Sequence, residues 1–124
     1  MKIFIMLASA FLLIGVGAGA FGAHALSDML KASGREATYE TAVRYQMYHA
    51  LGLLAVALLS NHLSTVNWLT WAGWLMVAGI IIFSGSLYLL VFTDVGLFGA
   101  ITPIGGVAFI AAWACVFMAA LRSA

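Results

Sequence analysis

The chain of 124 residues is 65% apolar and 7% charged, with a formal net charge of +1, whereas soluble domains run at roughly half apolar and a quarter charged. Five Lys and Arg with four Asp and Glu are too few to hydrate such a surface or to neutralise a phosphate backbone, which excludes a water-soluble globule, a disordered tail and a nucleic-acid binder. What remains is an all-α integral membrane protein of one domain, with the lipid bilayer as its partner.

A crossing needs about 20 apolar residues, and the charge-free runs predict four, at about 3–26, 43–62, 67–92 and 99–121, with a charged extramembrane segment at 27–42. The first run is longer than the roughly 7–15 apolar residues of a signal-peptide core, so it reads as a membrane helix. Within it Gly15, Gly19 and Gly22 stand at i, i+4 and i+7 and form a groove that another backbone can approach. The favoured reading is a seam inside the chain; the alternative partner is a second copy or a larger membrane complex. Gly17-Ala18-Gly19-Ala20-Phe21-Gly22 also matches the dinucleotide-binding G-x-G-x-x-G. That motif requires a strand–turn–helix setting, and the apolar run before it is too long for a strand, so the match is fortuitous. His24 and Asp28 close this span.

Between the first two spans, Ser33-Gly34-Arg35-Glu36 fits a capping box, which would start the second helix ahead of the membrane. Glu36, Glu40 and Arg44 follow at i, i+4 and i+8, a stripe that pairs Glu40 with Arg44 and reads as a solvated face. Tyr39, Tyr45 and Tyr48 suit the headgroup layer, with buried rings and wet tips. Further in, Tyr45, His49, Gly52 and Val56 share one face.

The third span enters from the other side with Trp68, Trp71 and Trp74, read as an interfacial belt. Toward its end Ser84, Gly85 and Ser86 thin the helix ahead of Tyr88. The fourth span opens with Thr102-Pro103-Ile104-Gly105-Gly106, and a proline without a donor predicts a helix broken, kinked or begun at Pro103. Gly85, Gly105 and Gly106 extend the set of packing glycines. Cys115 stands alone and forms no internal disulfide.

An up-down-up-down four-helix bundle puts His24 and Asp28, Arg44, Tyr45 and His49, Ser84, Ser86 and Tyr88, and Thr102 with Pro103 in the same half of the bilayer. His49 is predicted to face inward and to meet His24 and the serines of the third span. Two readings follow: a polar layer that holds a proton, ion, lipid headgroup or small solute, or imidazoles that donate to carbonyls and lock helices together. Haem would need a wider gap than small-residue packing leaves. Two well-placed histidines with a distant Asp28 do not make a metal site, so no cofactor and no metal are expected. Without H-E-x-x-H, G-x-S-x-G or a P-loop, catalysis has no group to build on and an enzyme is disfavoured. Lys2 and Arg122 on one side against Lys31, Arg35 and Arg44 on the other nearly balance; weighting the first helix places both termini in the cytoplasm. The expected role is an accessory or assembly subunit docking through glycine-rich helix faces, with binding or permeation around His24 and His49 as the alternative.

Four ordered segments carry a resemblance: Gly19-Ala20-Phe21-Gly22-Ala23-His24-Ala25-Leu26, Tyr45 with Tyr48-His49-Ala50-Leu51, Phe83-Ser84-Gly85-Ser86-Leu87-Tyr88, and Thr102-Pro103-Ile104-Gly105-Gly106. Together they resemble the signature segments of the small bacterial membrane proteins classed as domain of unknown function 423. The resemblance implies a multi-pass protein of the bacterial inner membrane and brings no activity or cofactor with it. The basic loop between spans two and three that would fix orientation is missing, and the tail offers only Arg122.

Overall fold

The computed structural model describes residues 1–124 and contains helices and no strands. Helix α1 covers Lys2–Ala23, a short α2 covers Ser27–Ser33, and α3 covers Glu36–Leu59. Helix α4 covers Val66–Thr93 with a π-helical turn at Ile80–Ser84 inside it, and α5 covers Leu97–Arg122. Four of the five, α1, α3, α4 and α5, are long and apolar enough to cross a membrane.

In two packed pairs, α1 with α3 and α4 with α5, residue numbers rise on one helix as they fall on the other. Gly15 faces Met47 while Gly22 faces Tyr39; Gly79 faces Phe109 while Gly105 faces Phe83. Of the most apolar stretches, 44% in α3 and 50% in α4 is buried, against 17% in α1 and 22% in α5. Helices α3 and α4 are therefore the centre, and the outer two present most of their apolar surface outward. That distribution suits lipid as the solvent, since apolar side chains there have no reason to hide.

Small residues set the helix spacing. Ala8, Ala57, Ala72, Ala112 and Ala119 are buried around Phe4, Leu53, Val56, Leu69 and Met76 in the main core cluster. The Phe4 ring lies across Gly73 of α4, where any side chain would collide with it, and meets Trp74 edge-on at 5.2 Å between centroids. Gly105 of α5 meets backbone instead of a ring: a Cβ there would stand 2.8 Å from the Phe83 Cα and nearer still to its amide nitrogen. No rotamer change relieves a clash with backbone.

Several expectations are corrected. Helix α3 begins at Glu36, ahead of the apolar span as expected, but no capping box opens it. Gly34 adopts a left-handed conformation (φ 70°) that ends α2, and the Ser33 hydroxyl donates back to the Leu30 carbonyl at 3.2 Å. That turn requires glycine, because a side chain resists positive φ. Helix α5 begins at Leu97 and continues through Pro103, so it neither starts nor breaks there; the proline withholds the hydrogen bond normally given to the Gly99 carbonyl. Gly85 has no neighbour within 4 Å of a would-be Cβ and is not a packing glycine, and Gly106 stands no closer than 3.9 Å to Phe83.

Candidate functional site

The inward face of α3 does carry His49, which is 6% exposed. Its ring stacks on Phe109 of α5 at 3.6 Å and 11° between planes. The Trp113 indole N–H donates to Nε2 at 3.0 Å, and Nδ1 lies 2.9 Å from the Tyr45 carbonyl. A nitrogen that accepts from an indole carries no proton, so Nδ1 is the protonated one and donates to Tyr45. The imidazole is neutral with both nitrogens occupied. Two glycines make the arrangement fit: Gly52 leaves room for the Trp113 ring, 3.1 Å from a would-be Cβ, and Gly79 leaves room for Phe109.

One turn earlier, Gln46 is 2% exposed and joins three helices. Its amide donates to the Phe11 carbonyl of α1 at 2.8 Å, and its Oε1 accepts from the Tyr88 hydroxyl of α4 at 2.7 Å. Buried Ser84 donates to the Ala42 carbonyl at 2.7 Å. The Ser86 and Thr102 hydroxyls share a hydrogen bond of 2.6 Å between α4 and α5, and each also faces a carbonyl of its own helix, Phe83 at 2.9 Å and Phe98 at 3.4 Å. The Tyr39 hydroxyl donates to the Ala18 carbonyl of α1. Tyr39 is thus buried between helices and has no wet tip, whereas Tyr45 and Tyr48 are 39% and 57% exposed.

The predicted convergence therefore divides. His49, Ser84, Ser86, Tyr88 and Thr102 lie at helix contacts, each with a protein partner. Tyr45 stacks on Phe83 at 4.7 Å at the edge of that group. His24 is exposed, beside a shallow depression it shares with Gly17, Phe21 and Ala25, and neither a hydrogen bond nor a ring contact joins it to His49. Asp28 and Pro103 are exposed. Sequence reasoning overlooked Gln46, Phe109 and Trp113; the position of Gln46, polar and flanked by apolar turns, was the available signal for a buried amide.

Arg44 turns the other way, into a cleft of about 450 Å³ between the end of α1, α2 and the first turns of α3. Gly19, Gly22, Leu30, Tyr39 and Val43 make its floor, and Lys31, Glu36, Glu40 and Arg44 stand around it. Arg44 reaches the Glu40 carboxylate at 3.4 Å, both side chains exposed; Lys31 and Glu36 have no ionic partner. The cleft lies where α2 follows the seam of α1 and α3, in which Gly19 packs on Val43 and Gly22 on the Tyr39 ring. At the same end Arg35 donates to Asp94 at 2.7 Å, tying the start of α3 to the residue after α4.

The family model described as "Protein of unknown function (DUF423)" matches residues 18–106. The UPF0382 membrane protein YwdK of Bacillus subtilis (strain 168) is 50% identical over 122 residues, covering 98% of each chain. A UPF0382 membrane protein of Staphylococcus epidermidis is 50% identical over 124 residues, covering 100% of this chain and 99% of that one. No solved structure matches the chain. A match over more than half of the sequence and half-identical relatives covered almost end to end leave one conclusion: this chain belongs to the DUF423 family.

Proposed function

We propose that the protein is a multi-pass protein of the bacterial inner membrane that binds the polar head of an amphiphile at one membrane surface. Its four long helices cross up-down-up-down, with both termini cytoplasmic and the bilayer as partner. The observation that carries this reading is the cleft of about 450 Å³ bearing four charged side chains beside an apolar floor. Charged groups border open space there, and two of them, Lys31 and Glu36, have no ionic partner. The interior polar groups support it by contrast: with both imidazole nitrogens hydrogen-bonded, His49 acts as a fastener and offers no lone pair to a ligand. An assembly subunit docking through glycine faces is the less favoured reading, because Gly15, Gly19 and Gly22 already meet Met47, Val43 and Tyr39 of the same chain.

The test is lipid retention. The full chain, delipidated and re-exposed to a total bacterial lipid extract, is expected to hold one lipid per chain by native mass spectrometry. The Lys31→Ala/Arg44→Ala double variant is expected to lose it while keeping its helix content, since both residues are exposed. Equal retention by wild type and variant would remove the cleft from consideration.

A further inference from the structure

We propose that the cleft selects a zwitterionic aminophospholipid, with phosphate held by Arg44 and Lys31 and the primary ammonium by Glu40 and Glu36. This rests on the reading of the cleft as a lipid-headgroup site and adds the class of headgroup. Charge balance is the first argument. Two cations and two carboxylates line the cleft, which gives no net attraction for an anionic head and pairs both ends of a zwitterion.

Order along the helix is the second argument. Glu36, Glu40 and Arg44 lie on one stripe of α3, which enters the apolar layer beyond Arg44. At about 1.5 Å per residue, Arg44 stands about 6 Å deeper than Glu40 and about 12 Å deeper than Glu36. A phospholipid in the same leaflet carries its phosphodiester toward the bilayer and its amine outward. The cation thus waits at phosphate depth and the carboxylates at amine depth. Lys31 of α2 stands across the cleft from this stripe. Val43 with Gly19 and Gly22 gives the cleft an apolar side at the level of Tyr39 to Arg44.

The amine is primary rather than quaternary on chemical grounds. A quaternary ammonium has no N–H to give a carboxylate and is recognised by aromatic cages, and this cleft has one aromatic ring, Tyr39, whose hydroxyl already donates to Ala18. A primary ammonium brings three donors, enough for both glutamates.

The experiment uses the full chain in nanodiscs or mild detergent with phosphatidylethanolamine, phosphatidylcholine and phosphatidylglycerol of identical acyl chains, read by competition and native mass spectrometry. Wild type is expected to prefer phosphatidylethanolamine over each of the others by about tenfold, the size of one charge-assisted hydrogen-bonded contact. Glu36→Gln/Glu40→Gln is expected to remove the preference over phosphatidylcholine, and Glu36→Lys/Glu40→Lys to shift it toward phosphatidylglycerol. Equal binding of ethanolamine and choline lipids, still lost in the Lys31→Ala/Arg44→Ala variant, overturns the ammonium assignment and leaves the lipid site standing. Preference of wild type for phosphatidylglycerol overturns the zwitterion pairing. Displacement by water-soluble glycerophosphoethanolamine as effective as by the intact lipid overturns the lipid source and keeps the headgroup chemistry. Retention of no lipid by wild type overturns both readings together. Circular dichroism of each variant, expected unchanged for exposed residues, separates lost binding from lost folding.

Discussion

The buried contacts among α1, α3, α4 and α5 and the cleft at the α1–α2–α3 corner both gather polar groups, and they do so to opposite ends. In the interior every buried side-chain nitrogen and oxygen has a partner within the protein. Unpaired polar groups are costly where water is absent, so those present work as fasteners between helices. At the corner the charged groups are exposed, and Lys31 and Glu36 have no ionic partner. Polarity by itself does not mark a site in such a protein; polarity left unsatisfied beside open space does.

The contrast can be broken most forcefully at Gly105. Gly105→Ala drives a methyl into the Phe83 backbone, and overpacking of this kind costs about 3 kcal/mol where neither chain can yield. Thermal unfolding in detergent is expected to show a large loss of stability, with lipid preference unchanged in whatever fraction stays folded. Gln46→Leu removes two interhelical hydrogen bonds and leaves the Tyr88 hydroxyl without a partner, while the Phe11 carbonyl keeps its place in the α1 ladder. A cost of about 2 kcal/mol is expected, and a loss near zero would show that water or rearrangement replaces the amide. Smallest is Asp94→Asn, which weakens the pair with Arg35. Asp94 is mostly exposed, and surface pairs contribute under about 1 kcal/mol, so stability should barely change and its salt dependence should diminish.

How much of this was legible in the chain differs from element to element. The four long helices were, because crossing a bilayer leaves a charge-free run that nothing else explains. The start of α3 was legible to within about two residues, but its cap was not: Ser33 and Glu36 have capping-box spacing, yet Gly34 between them ends one helix before the next begins. His24 and His49 were expected to meet because both were placed at one depth. Depth follows from position in a span, whereas facing depends on rotation about the helix axis. His24 stands two residues past Gly22, on the side of α1 away from the glycine face that meets α3, and it faces outward. The cleft was half legible. The Glu36, Glu40, Arg44 stripe was visible as a solvated face, but α2, which closes over it with Lys31, is a seven-residue helix hidden in what read as a charged segment.

The Trp113–His49–Tyr45 chain also makes the imidazole a native reporter. Its two ring nitrogens are chemically distinct, one bare and one protonated, so isotope-labelled protein should display a single frozen tautomer by magnetic resonance. Any motion that parts α5 from α3 strips the indole from the bare nitrogen and frees the proton to exchange between the two. Breathing of the bundle would thus be visible at one side chain, with no dye, tag or added cysteine.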